Sequence, residues 1–243
     1  MSDLISPQSS REKLLVIQPL VGIGDMIWHK PWIDYLCTQN DVILATKPSV
    51  QAPVLFYDTD GMVDILPIDR SQRGTRGRHD GWRGFWQLVA DFKSTGARRA
   101  LILHHSPRYA NAAFIAGMTA RWGYGIGLQR LWLNRGQFLE KSARKMHPIA
   151  KMRIYAARNG FPIDPVWRLN ISPAAKKAAD EFMSAHAIDA ASDMLILGIG
   201  AMDEDRCWPL EKFAEFITSL AKKRPQLICC LMGAPSELSL IHI

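Results

Sequence analysis

Short apolar, β-branched runs recur along the chain with a helix-forming stretch between them, and this alternation constrains the fold more than any other feature. Lys13–Gln18 (KLLVIQ), Asp41–Thr46 (DVILAT), Met62–Ile68, Arg99–His104 (RALILH) and Arg121–Ile126 read as strands. Helices are expected over about Met26–Cys37, Val50–Phe56, Trp82–Lys93, Pro107–Met118 and Pro148–Asn159, the last stopped by Gly160 with Pro162 close behind. Strands separated by helices imply βαβ units and a mostly parallel sheet. Arg70–Gly81 is a basic, glycine-bearing loop, and Leu128–Ser142 has no clear period. The pattern then restarts. Asp164–Pro173 reads as a linker, Ala174–Ala187 as a helix, Met194–Gly198 as a strand, Pro209–Lys222 as a helix and Gln226–Met232 as a strand. Two α/β domains are therefore expected, 1–165 and 166–243. The second is expected to be incomplete, because two strands fall short of the usual five or six of a sheet.

A chain of 243 residues, 48% hydrophobic and 22% charged, is ordinary globular material and is long enough to bury a core. No apolar run approaches the roughly 18–20 residues of a membrane span, and Met1–Pro7 lacks the basic-then-apolar layout of a signal peptide. A cytoplasmic protein is expected. Cys37, Cys207, Cys229 and Cys230 form no C-x-x-C pair, so neither a disulfide framework nor a zinc site is suggested. The net charge of +7 is unevenly spread: residues 1–170 carry 23 basic against 13 acidic side chains, and residues 171–243 carry 7 against 10. Sixteen of the first 23 are arginine, with Arg70, Arg73, Arg76, Arg78 and Arg83 in one run. Arginine's planar fork suits carboxylates and phosphates, so an anionic partner is expected for the first part. A merely solvated basic surface is the competing reading.

Gly22-x-Gly24 follows the first strand, but Ile27 stands where a dinucleotide fingerprint needs its third glycine, and Lys47 where it wants an acid. Nicotinamide binding is disfavoured. Asp25 remains. It can N-cap the helix from Met26, or lie at the carboxyl edge of a parallel sheet, where open α/β folds bind ligands, and act as a general base. One oxygen can cap while the other faces a cleft. Further on, Gly198-Ile199-Gly200-Ala201 is followed by Arg206 and by Trp208-Pro209 at a helix start. Pro209 suits the first helical turn, and the helix start suits a phosphate that Arg206 can neutralise. Asp203-x-Asp205 reads as a solvated loop more than as a metal site. His104-His105 ends a strand and is expected to line a cleft wall. His29 has no histidine four residues on and forms no metal motif.

Taken together, three blocks carry a family resemblance: Gly24-Asp25 with Pro31; Gly198-x-Gly200-Ala201 with Arg206-Cys207-Trp208-Pro209-Leu210-Glu211-Lys212-Phe213; and Leu231-Met232-Gly233-Ala234-Pro235-Ser236-Glu237. The chain resembles glycosyltransferase family 9, the ADP-heptose:lipopolysaccharide heptosyltransferases, over residues 12–237. The resemblance implies a GT-B architecture of two Rossmann-like domains. It implies inverting, metal-independent transfer of heptose from ADP-heptose to the lipopolysaccharide inner core, without a cofactor. Asp25 matches the family's base. Gly200, Ala201, Arg206, Trp208, Pro209 and Glu237 fall on the donor side, and Gly24, Arg73, Arg76, Arg78, Arg83 and His105 on the acceptor side. A peripheral contact with the cytoplasmic face of the inner membrane is compatible with such an acceptor, and no nucleic acid is expected. Two departures stand out. Ala201 and Met202 occupy positions where members carry hydroxyl residues, and an Asp-Ser/Thr-Gly-x-x-His donor segment is lacking, so a truncated chain is expected. The alternatives are a non-catalytic basic module that docks on anionic lipid or nucleic acid, or a nicotinamide-dependent oxidoreductase.

Overall fold

The computed structural model describes residues 11–71, 76–189, 191–201 and 206–233. They form two units, divided between Ser172 and Pro173. In the first unit, β1 (Lys13–Gln18), α1 (Ile23–Cys37), β2 (Asp41–Thr46), α2 (Ala52–Leu55), β3 (Met62–Pro67), α3 (Gly81–Ser94), β4 (Arg99–Ile102), α4 (Pro107–Ile115), β5 (Ala120–Gly123) and α5 (Pro148–Asn159) follow in order. All five strands pair in parallel, in the order β3-β2-β1-β4-β5.

The apolar run of β1 explains its central place. Leu14 and Val16 face one helical layer, where they pack with Trp32 and Leu36 of α1 and Tyr155 of α5. Leu15 and Ile17 face the other layer, with Leu88 and Phe92 of α3 and Ala110 and Ala113 of α4. Alternate residues of a strand point to opposite faces, so a strand covered on both sides must be apolar throughout. The chain moves outward from β1 to β2 and β3, then returns through α3 to β4 on the other side of β1. That reversal opens a crevice beyond the carboxyl ends of β1 and β4, the place where such sheets take ligands.

Element ends depart from the expectation in instructive ways. α1 begins at Ile23, one turn before Met26, because Gly22 rather than Asp25 is its N-cap. β4 stops at Ile102 and β5 at Gly123, which leaves Leu103–Ser106 and Tyr124–Ile126 as edge loops. The stretch without a period contains two 3-10 turns, Gly127–Trp132 and Lys141–Lys145, whose three-residue turn escapes a 3.6-residue pattern. Gly61 enters β3 at φ +83°, and a Cβ there would overlap the Cys37 carbonyl oxygen and lie 3.0 Å from that of Asn40. Gly61→Ala is expected to destabilise the first unit by more than about 1 kcal/mol, read as a lower urea midpoint with unchanged slope.

The second unit contains α6 (Pro173–Ala185), β6 (Met194–Gly198), α7 (Leu210–Lys223) and β7 (Ile228–Met232). β6 and β7 pair in parallel, Met194 opposite Ile228 through Gly198 opposite Met232. No helix among the described residues is long and apolar enough to cross a membrane.

Candidate active site

The crevice holds a cavity of about 140 Å³, lined by Leu20 and Asp25 after β1, His29 of α1, Leu103, His104 and His105 after β4, Tyr124 after β5, and Pro148 and Lys151 of α5. Asp25 sits in the first turn of α1, three residues after the N-cap. Its Oδ2 accepts a hydrogen bond from the Gly22 backbone N–H at 3.1 Å. This is the returning half of a capping box, and Gly22, with no side chain, supplies no other half. Among the described residues Oδ1 accepts no hydrogen bond, so one carboxylate oxygen fixes the helix start while the other is left for a ligand. Gly24 precedes it in the same turn, where a Cβ would meet nothing within 4 Å. The chain's own packing therefore does not require glycine there.

His29 lies one turn further along α1, almost fully buried. Its Nδ1 is 2.8 Å from the Asp25 carbonyl oxygen and its Nε2 is 3.3 Å from the Tyr124 hydroxyl. A carbonyl can only accept, so Nδ1 carries the proton and Nε2 accepts from Tyr124. Burial disfavours a second proton and pulls the His29 pKa down. A neutral, oriented imidazole thus braces the turn that carries Asp25. Across the cavity, His104 Nδ1 accepts from the Ser106 backbone N–H at 3.0 Å. His104 stacks on His105 at 4.5 Å between ring centroids. Burial, then the neighbouring His105 and Lys151, hold the His104 pKa down at about 3, and His105 is lowered by burial and by Lys151. Lys151 donates to the Arg144 carbonyl at 3.4 Å and stands 5.7 Å over the Tyr124 ring. Burial lowers its pKa too. The cavity sets one carboxylate opposite neutral imidazoles and an amine, an arrangement able to take a proton from a hydroxyl and to hold an anionic group beside it.

Of the residues expected from sequence, the cavity brings together Asp25, His104 and His105. None of the described arginines of the run lines this cavity. Arg78 pairs with Asp91 at 2.8 Å, Arg76 lies against Gly81, and Arg83 is exposed on α3. Arg73 lies outside the described residues. Arg70, by contrast, lies just beyond β3, bonded to Asp80 at 3.3 Å and to the Tyr109 hydroxyl at 3.5 Å, and its carbonyl accepts from Lys47. His29, Tyr124 and Lys151 were not expected at a site. Lys151 stands 126 positions after Asp25 and meets it only through the strand order, which no local pattern encodes.

In the second unit Gly200 is exposed just after β6, and Pro209 is the N-cap of α7 rather than a residue of its first turn, so the helix begins at Leu210. Trp208 packs edge-on against Phe213 at 4.8 Å, which anchors the helix start. Cys207 Sγ lies 3.8 Å from the Ala201 carbonyl oxygen, and Arg206 is exposed. Met202, Asp203, Asp205 and Glu237 lie outside the described residues.

This parallel α/β fold, with a candidate site beyond the carboxyl ends of β1 and β4, is shared with solved glycosyltransferases of the GT-B type. No family model and no curated protein matches the chain. Among solved structures it is similar to the glycosyl transferase family 9 protein of Veillonella parvula DSM 2008, with TM-score 0.72 and 15% identity, over 97% of this chain and 67% of that one. It is also similar to the ADP-heptose lps heptosyltransferase II of E. coli, with TM-score 0.63 and 18% identity, over 92% and 65% of the two chains. The E. coli heptosyltransferase WaaC with ADP gives TM-score 0.59 and 16% identity, over 93% and 70%. The chain spans about two thirds of the length of these structures, and at such identities the likeness is one of fold.

Proposed function

We propose that the chain belongs to an inverting glycosyltransferase that moves a heptose from ADP-heptose to the inner core of lipopolysaccharide. The observation that carries this reading is Asp25, a carboxylate with one tethered and one open oxygen at the ligand edge of a fold shared with heptosyltransferases. In this reading Asp25 Oδ1 takes the proton of the acceptor hydroxyl. The acceptor oxygen bonds to the anomeric carbon from the face opposite the diphosphate, the bond from that carbon to the diphosphate oxygen breaks, and ADP leaves with the electron pair. Lys151 and His105 would contact the acceptor's acidic groups with Gly24 beside Asp25, and the acceptor-side arginines expected from the sequence, Arg73, Arg76, Arg78 and Arg83, would act outside that cavity. Arg206, with Gly200, Ala201, Trp208, Pro209 and Glu237, would hold the donor, where Arg206 and the free N–H groups that open α7 offset the charge developing on ADP. No metal or cofactor is part of this reading. A lipid-borne acceptor would place the protein at the cytoplasmic face of the inner membrane.

Incubation with ADP-heptose and heptose-free lipopolysaccharide is expected to release ADP and lengthen the acceptor by one sugar. Release of ADP without a lengthened acceptor, or no response to any ADP-sugar, would overturn the proposal.

A further inference from the structure

His29 and Tyr124 meet in the wall of the Asp25 cavity, from opposite sides of the crevice. His29 stands one turn after Asp25 in α1, and Tyr124 stands one residue beyond β5. Both line the cavity, and they are only 1% and 2% exposed. Burying an imidazole and a phenol costs desolvation that two apolar side chains of similar size would avoid. The bonds these two make must therefore supply something that packing does not.

The direction of those bonds is fixed. Tyr124 has one hydroxyl proton and two neighbours for it, His29 Nε2 at 3.3 Å and Met152 Sδ at 3.8 Å. A thioether is a weak acceptor, so the proton goes to the imidazole. Burial raises the Tyr124 pKa and lowers that of His29, so the phenol keeps its proton and the imidazole takes no second one. The chain runs one way, from Tyr124 O–H to His29 Nε2 and from His29 Nδ1–H to the Asp25 carbonyl oxygen at 2.8 Å. Asp25 is thereby held at two points, its carboxylate by Gly22 N–H and its carbonyl by His29. Tyr124 also serves the other wall. The Lys151 ammonium lies 5.7 Å from the centre of its ring, and Tyr155, one turn after Lys151 in α5, packs edge-on against that ring at 5.5 Å.

We propose that His29 and Tyr124 are positioning residues whose mutual hydrogen bond sets the base Asp25 and the cation Lys151 in register across the cavity. Asp25 is held by the imidazole, Lys151 rests on the phenol ring, and one buried bond joins the two supports. The role rests on the sugar-transfer reading above. It adds that the alignment of base and acceptor contact depends on two residues that take no part in the proton transfer, through a constraint linking α1, the end of β5 and α5. Such supports matter because a reacting group displaced by about 1 Å can cost about a hundredfold in rate.

Steady-state kinetics of four variants, each assayed well below its own Tm, test this. Tyr124→Phe deletes the hydroxyl and keeps the ring beside Lys151. His29→Asn keeps a side-chain N–H for the Asp25 carbonyl and loses the bond to Tyr124. Each is expected to lower kcat about tenfold with the acceptor KM within about twofold of wild type, because orientation is lost and no substrate contact is. The double variant is expected to match the singles, since both delete the same bond. His29→Leu loses both bonds and is expected to lower kcat about a hundredfold. A long-range ¹H–¹⁵N spectrum near pH 7, assigned by the signal missing in His29→Asn, reads the pair without turnover. A neutral His29 protonated at Nδ1 is expected. An imidazolium or an Nε2-protonated ring, wild-type kcat in Tyr124→Phe and His29→Leu, or losses that multiply in the double variant would overturn the proposal and leave wild-type sugar transfer standing. A wild type that transfers no sugar would overturn the transfer reading and this role with it.

Discussion

Asp25→Asn is expected to lower the rate of sugar transfer by about 10²–10⁴-fold, the usual contribution of a positioned general base. The substitution separates two roles that one carboxylate combines. The Oδ2 that accepts from Gly22 N–H at 3.1 Å can be replaced by the amide oxygen of asparagine, so α1 keeps its start and stability should change by no more than about 0.5 kcal/mol. What is lost is the ability to take a proton at the other oxygen, since the amide NH₂ only donates. Asp25→Ala removes both roles and is expected to add a stability loss of about 0.5–2 kcal/mol to the same loss of rate. Donor binding, followed by the rise in Tm on adding ADP, should be unchanged in the asparagine variant, because the assigned donor contacts lie in the second unit. A variant with near wild-type turnover would remove Asp25 from the chemistry and leave it as a helix-start residue only.

The layout of the first unit was legible because the inner strands β1, β2 and β4 are buried on both faces and carry apolar runs, while the edge strand β3 is partly exposed. Leu14 through Ile17 cannot sit on a surface, and five short strand-like segments separated by helices leave little besides a parallel sheet. Asp25 was legible for the same reason, as a polar residue directly after a buried strand. The helix start was misjudged by one turn, because an acid at the third helical position and an acid at the N-cap look alike in sequence. The rest of the cavity was hidden. His29 shows no metal spacing, and its role is to donate to a carbonyl and accept from Tyr124, residues 4 before and 95 after it. Lys151 reads as one more exposed helix lysine until the strand order folds α5 over the ends of β1 and β4. The arginine run is close in sequence but does not line this cavity among its described members: Arg78 is paired with Asp91 of α3, and the lysine in the cavity lining lies far along the chain.

The buried histidines are expected to make the first unit acid-labile, and the sign follows from their direction of shift. His104 has a folded-state pKa of about 3, held there by burial and by His105 and Lys151, against about 6.5 in an unfolded chain. Between those values the unfolded state binds a proton that the folded state refuses, so stability rises with pH across the window. The contribution is fully present above about pH 6.5 and is lost progressively as pH falls toward 3. At pH 4.5 the loss from His104 alone is about 2–3 kcal/mol, and His29, also lowered by burial, acts in the same direction. Asp34, raised by burial, acts in the opposite sense near its own titration, so the comparison is best made between variants. The physical reason is specific: His104 Nδ1 accepts from Ser106 N–H, and protonating that nitrogen turns an acceptor into a donor facing a donor. His104→Asn places an amide oxygen where Nδ1 was, keeps the acceptor and removes the titration. Urea midpoints followed by the fluorescence of the buried Trp32 and Trp122 should fall between pH 7.5 and 4.5 in the wild type. The fall should be smaller by about 2 kcal/mol in His104→Asn. Parallel curves for the two proteins would show that His104 titrates alike in both states, and would remove it from the acid response.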